Sequence, residues 1–197
     1  MTLARRAAWF VAAWAAGGFA PAAVQAQPLA YTFDPSHSFI TFELLHFDTS
    51  TLRGRFGPLQ GQVVLDRAAR NGRVDVRVEL ASVSTGLAFL DNRLRQADFL
   101  DVAGAPQAFF IATHLGFDAD GGVASVRGEF TLRGQSRPLA LSAQRFRCYL
   151  SPVYGREVCG GDFVGEIKRS DFGITHSLPF VSDRVRLQLQ VEAVREP

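Results

Sequence analysis

From Ile40 to Val194 the chain repeatedly alternates apolar and polar residues with a period of two, a pattern satisfied only by extended strands with one face buried. Val74, Val76, Val78 and Leu80 alternate with Asp75, Arg77 and Glu79. Val185, Leu187, Leu189 and Val191 alternate with Arg186, Gln188 and Gln190. Ile40, Phe42, Leu44 and His46 share one face of a further strand, with Thr41, Glu43 and Leu45 on the other. Val63 and Leu65 continue the series, as do Ala108 to Leu115, Val123 to Leu132, Leu139 to Arg147 and Phe163 to Ile167. Turn chemistry separates them at Asn71-Gly72, Asp118 to Gly122, Gly134 to Pro138, between Cys148 and Cys159, and at Ser177 to Asp183. One segment departs from this period: in Leu87 to Leu100, Leu90, Leu94 and Ala97 recur at helical spacing and predict a short helix or helical turns. Eight or nine strands with one helical excursion predict an all-β barrel or sandwich.

The first 26 residues do not belong to this pattern. Arg5 and Arg6 precede an uncharged apolar stretch from Ala7 to Ala20, and Val24-Gln25-Ala26 has small residues where a signal peptidase cuts. The stretch is shorter than the roughly 20 residues of a membrane-spanning helix. The expectation is a signal peptide over 1–26, cleaved after Ala26, and one mature domain over 27–197. An uncleaved anchor is the alternative. The residues after Arg5-Arg6 fit the twin-arginine motif poorly.

Arg5 and Arg6 are the only charges in that leader, so of 21 basic and 19 acidic residues, 19 of each sign remain in the mature part. With charges so mixed, and Lys168 the single lysine, the basic face of a nucleic-acid binder is missing. Cys148 and Cys159 are the two cysteines. In an oxidising compartment they most simply form one structural disulfide, contributing about 3 kcal/mol by loop closure. Their spacing matches neither a redox Cys-x-x-Cys nor a zinc site.

Nor does the chain carry Gly-x-Ser-x-Gly, His-Glu-x-x-His, a phosphate-binding glycine loop or a dinucleotide fingerprint. Phenylalanine is the compositional outlier: 17 in the chain against 3 Tyr, 2 Trp and 1 Met. Such rings either fill a closed core or line an apolar tunnel, and the residues by themselves favour the filled core. His46, in phase with Ile40, Phe42 and Leu44, is expected to point inward, either toward a ligand's polar end or as a satisfied structural histidine. It is the one ionisable side chain expected inside. His37, nine residues earlier, falls on the opposite face of a regular strand, which disfavours a metal pair with His46. Arg93 and Arg95, with Asp91 and Asp98, read either as an entrance for a head group or, as favoured here, a solvated helix face. Arg169 and Asp171 could pair locally, a structural role at a barrel end being the favoured reading, and Phe172 beside them is the better candidate for packing against the lipid or the barrel floor.

Five segments then carry a resemblance: HSFITFELLH from His37, TLRGRFG from Thr51, LDNRLRQADFLD from Leu90, GEFTLRGQSRPLAL from Gly128 and KRSDFGI from Lys168. In this order, over nearly the whole mature chain, they resemble the YceI-like family of periplasmic polyisoprenoid-binding proteins. The resemblance implies an antiparallel eight-stranded lipocalin-like barrel. Its interior would take a polyprenyl chain or isoprenoid quinone, without metal or cofactor, and transient membrane contact is compatible with that role; the missing catalytic motifs, not the resemblance, give the expectation that the protein is not an enzyme. It also favours a tunnel over a filled core. Ile40, Phe42, Leu44, His46, Phe56, Phe99, Phe110, Phe130, Phe163, Ile167 and Phe172 are then expected to contact the lipid. Two departures stand out: Arg93 where a His is common before Leu94, and the Cys148 to Cys159 loop. Two other readings stay open, a filled barrel serving as an interaction module in envelope stress and an enzyme acting on a bound lipid.

Overall fold

The computed structural model describes residues 27–197; the signal-peptide reading concerns residues outside that range. Ten strand segments follow one another: β1 Leu29–Phe33, β2 Phe39–His46, β3 Ser50–Phe56, β4 Gln60–Asp66, β5 Asn71–Glu79, β6 Gln107–Phe117, β7 Val123–Leu132, β8 Gln135–Leu150, β9 Glu157–Lys168 and β10 Arg184–Arg195. Among the described residues one α-helix, α1, spans Ala88–Leu94, beside short 3-10 turns at Leu80–Ser82 and Arg169–Phe172. Every pairing is antiparallel, and β10 closes the sheet by pairing with β2 through one half of its length and with β1 through the other. The segments β1 and β2 are two halves of one wall strand, and β3 and β4 are two halves of the next. Ten segments therefore build a closed eight-stranded antiparallel barrel, in which β3 ladders with β2 on one side and meets the chain after β5 through the single Arg55–Ser84 bridge on the other.

Both composite strands break at one level. Asp34-Pro35-Ser36-His37-Ser38 forms the first break, where proline has no N–H to give a ladder. Asp34 Oδ1 accepts the Ser36 N–H at 2.8 Å and its hydroxyl at 2.6 Å, while His37 Nδ1 and the Tyr154 hydroxyl meet Oδ2 at 2.7 and 2.9 Å. Burial alone would raise the Asp34 carboxyl, but these hydrogen bonds outweigh it and hold the group well below the usual carboxylate range. The Leu59 N–H, in the second break, donates to the Ser38 carbonyl at 3.0 Å and stitches the two interruptions together. His37 thus sits in a braced turn engaged with Asp34, rather than on a continuous strand with His46.

Alternation decides what faces inward. Val76 and Val78 are buried while Arg77 is exposed, and Val185, Leu187, Leu189 and Ala193 are buried between exposed or half-buried neighbours. Three expectations need correction. Asn71-Gly72 is not the turn before β5: both residues already pair with β4, opposite Asp66 and Leu65, and the turn lies at 67–70 with Arg70 in the left-handed region. Gly134 to Pro138 is mostly strand, since β8 starts at Gln135. Cys148 and Cys159 face each other directly across β8 and β9, so their disulfide staples two paired strands and the hairpin turn lies beyond it, at 151–156. The helical segment is shorter than its periodicity suggests: α1 stops at Leu94, Ala97 is exposed, and turns carry Phe99 and Leu100 inward.

Candidate functional site

The barrel's turns divide between two ends. The β2–β3 turn, α1 with its flanking loops, the β7–β8 turn and residues 169–183 gather at one end, where His46 bridges to Val181 and Arg133 reaches the carbonyls of Gly173 and Ala97. Below them lies an apolar cavity of about 450 Å³. Ile40, Phe42 and Leu44 of β2, Phe56 of β3, Phe110 of β6, Phe130 of β7 and Ile167 of β9 line it, and Phe99 joins them from the loop after α1. His46 stands at the rim and is exposed.

The structure places two other nominated residues elsewhere. Phe163 faces inward but lines a smaller apolar cavity of about 70 Å³ deeper in the barrel, with Tyr31, Phe33, Val63 and Val191 among its neighbours. Phe172 is 1% exposed and lines neither cavity; it belongs to the buried core and packs edge-on against Phe130 at 5.4 Å between centroids. The larger cavity also includes residues not singled out as ligand contacts: Val76, Val78, Leu139, Leu141, Val185, Leu187 and Leu189, with Leu90, Leu94 and Leu100 across the top. The strand positions among them belong to inward faces already visible as alternation; what was missing was depth.

His46 is not the only ionisable group at the cavity, contrary to expectation: Arg93, Arg169 and His176 border it as well. Nor is Arg93 part of a simple solvated face. It grips both oxygens of Asp98, with Nη1 2.6 Å from Oδ1, and its Cζ lies 4.5 Å over the Phe99 ring. His176 Nδ1 lies 3.3 Å from Asp98 Oδ2, and its ring is 5.0 Å from that of Phe99. The guanidinium holds the Asp98 carboxyl below its usual range. Arg95 points the other way, donating to the carbonyls of Ala81 and Val83 at 3.1 and 3.2 Å.

The Arg169 to Asp171 pair does not form. Arg169 is buried and donates from Nε to the Ser182 carbonyl (2.9 Å), from Nη1 to those of Ile174 (3.0 Å) and His176 (2.8 Å), and from Nη2 to that of Val181 (2.8 Å). Burial lowers its proton affinity and Asp183 partly offsets this; an arginine stays charged regardless. Asp183 accepts from the Ser170 N–H and hydroxyl at 2.8 and 2.7 Å. The cation thus ties the segment after β9 into one side of the rim.

Phe42 owes its seat to a missing side chain. Gly54 lies opposite it on β3, and a Cβ added there would come 2.7 Å from Phe42 Cε1. Gly54→Ala is expected to drive the ring toward the cavity and to cost about 1–3 kcal/mol as overpacking. Urea unfolding reads this, and an unchanged midpoint would show that the ring has room to swing aside.

A closed antiparallel barrel with an apolar chamber open at one end and a sparse polar rim is a calyx of the lipocalin-like class. The YceI-like domain model matches residues 31–193, and the chain belongs to that family. Protein YceI of Salmonella newport is 34% identical over 161 residues, covering 81% of this chain and 83% of that protein. A UPF0312 protein of Pectobacterium carotovorum is 35% identical over 169 residues, covering 84% and 86%. Among solved structures, the Campylobacter jejuni YCEI protein superposes with a TM-score of 0.66 at 27% identity, over 78% of this chain and 90% of that one. A polyisoprenoid-binding domain from Saccharophagus degradans, implicated in plant cell wall breakdown, shares the fold with a TM-score of 0.62 at 21% identity, over 85% and 99%.

Proposed function

We propose that the protein binds and carries an isoprenoid lipid, a polyprenyl chain or isoprenoid quinone, in the periplasm after removal of residues 1–26. The observation that carries this reading is the cavity itself: about 450 Å³, lined almost wholly by aliphatic and aromatic side chains, and open at one end. That volume falls in the range of about 300–1,000 Å³ typical of small-molecule sites. An interior left this open favours carriage over a filled interaction module. The Saccharophagus domain, described as polyisoprenoid-binding, supports the class of ligand. The reading assigns the protein a binding role rather than catalysis. Ile40, Phe42, Leu44, Phe56, Phe99, Phe110, Phe130 and Ile167 are the proposed tail contacts, with His46 beside the head group.

Native mass spectrometry of protein taken from the periplasmic fraction tests this in one measurement. The expected species begins at Gln27, has lost two hydrogens to the Cys148–Cys159 bond and carries one stoichiometric isoprenoid. A retained leader would remove the export reading, and an empty or phospholipid-loaded barrel would remove the isoprenoid.

The same reading includes transient contact with a membrane, where such a lipid is collected. Exposed apolar side chains flank the open end: Phe89 at 85%, Leu87 at 63%, Phe180 at 60% and Phe47 at 55% exposure. Phe47 occupies a left-handed position, φ 51°, that bulky residues rarely take, and its ring stacks on Phe180 at 5.3 Å. Such aromatic side chains partition into the headgroup boundary. Replacing Phe47, Phe89 and Phe180 together by Ser should reduce co-sedimentation with phosphatidylcholine vesicles several-fold. Leu150→Ser with Val153→Ser, on the hairpin at the other end, should leave it unchanged; equal losses from both sets would reduce the effect to general stickiness.

A further inference from the structure

The two cavities are not independent spaces: Val76 of β5, Phe110 of β6, Leu141 of β8 and Leu189 of β10 line both. They form one interior layer. On β10, Val185, Leu187 and Leu189 face the upper chamber, and Leu189, Val191 and Ala193 the lower; on β8 the change likewise falls at Leu141, and Val76 and Phe110 are direct register partners. Phe110 is the bulkiest member and is 5% exposed. From Val185 to Leu189 the wall descends about 13 Å at the usual strand rise, and the lower chamber continues for a similar distance. Hydrocarbon suits that lower space better than water, since an apolar cavity stays dry.

We infer that the Phe110 ring is the floor of the lipid chamber and sets the longest tail it accepts, with the space beneath a separate tail compartment that this ring closes. The inference rests on the lipid-binding reading. A tail entering at the rim runs down past Val185 and Leu187 and stops at the layer of Phe110, Leu141 and Leu189. Truncating the ring joins the two chambers, whereas the three aliphatic members are too small to bar the passage alone.

The test titrates delipidated protein with quinones of one head group whose tails grow by single isoprene units. In the natural protein, affinity is expected to rise with length and then level off. In Phe110→Ala, levelling should come at least one unit later, and tails beyond the natural limit should bind at least tenfold more tightly than they do to the natural protein. Ala193→Leu, which narrows only the lower chamber, should leave the natural levelling length unchanged and cancel the extension in the double variant. If Phe110→Ala does not fold, Phe110→Leu serves, with a smaller shift in the same direction. The same levelling length in the natural protein and a folded Phe110 variant overturns the inference, as does shortening by Ala193→Leu alone, which would mean that tails already reach the lower chamber. Absence of binding by any member of the series removes the lipid-binding reading and this inference with it.

Discussion

Within the lengths that fit the chamber, each isoprene unit removed from a quinone tail should weaken binding by about tenfold or more, whereas His46→Ala should weaken it by no more than about tenfold in total. The asymmetry comes from the lining. Each buried CH₂ contributes about 0.8 kcal/mol before ordering costs, so a five-carbon unit retains a large net gain even after losing tail freedom. A single neutral hydrogen bond contributes about 0.5–1.5 kcal/mol. His46 is exposed at the rim, where water competes for that bond, so its share belongs at the lower end. Isothermal titration across the tail series, with and without His46→Ala, decides the matter. Affinity independent of tail length, together with near-complete loss in His46→Ala, would show that the head group dominates.

Arg169→Met should destabilise the fold by about 3–5 kcal/mol, because several buried acceptors lose their donor together. The four carbonyls of Ile174, His176, Val181 and Ser182 would lose their shared donor, and each buried acceptor left without a partner costs about 1–3 kcal/mol before relaxation. For a domain of this size the melting temperature should fall on the order of 10 °C. Arg169→Lys should recover only part of the loss, because one ammonium with three donors cannot span carbonyls arranged around a planar guanidinium. Lipid retention should fall alongside stability, since the tied segment contributes Ile174, His176, Ser177 and Val181 to the cavity. A change in melting temperature within about 2 °C for Arg169→Met would mean that water replaces the guanidinium and that the segment holds without it.

The strands found by alternation were those with uninterrupted inward faces, β5 and β10 above all. The two not recognised as strands failed for local reasons. In β3 the inward positions are Leu52, Gly54 and Phe56, and the glycine in the middle, needed to seat Phe42, breaks the apolar series. β1 is five residues long and is cut off from β2 by the Asp34 to Ser38 break, so it offers too few alternations to register. The Arg169 contacts were beyond reach for a different reason. Asp171 is its neighbour in sequence, but the carbonyls it binds are presented by a chain that turns away and returns as far as Ser182.

Legible from residues alone were the all-β class, the direction of most side chains, the pairing of the two cysteines and the apolar character of the interior; the eight-stranded lipocalin-like form came from family resemblance. These follow from chemistry repeated along the chain: a period of two assigns faces wherever it persists, and two cysteines in an oxidising setting have only each other. Depth, closure and partnership were settled by the tertiary structure. Alternation gives every inward residue the same sign but no coordinate along the barrel axis, so Phe110, Phe130 and Phe163 look alike in sequence. Only the closing of β10 onto both β1 and β2 puts Phe130 in the upper chamber, Phe163 in the lower and Phe110 between them. That level is set by the register of eight strands acting together, a quantity that no single segment carries.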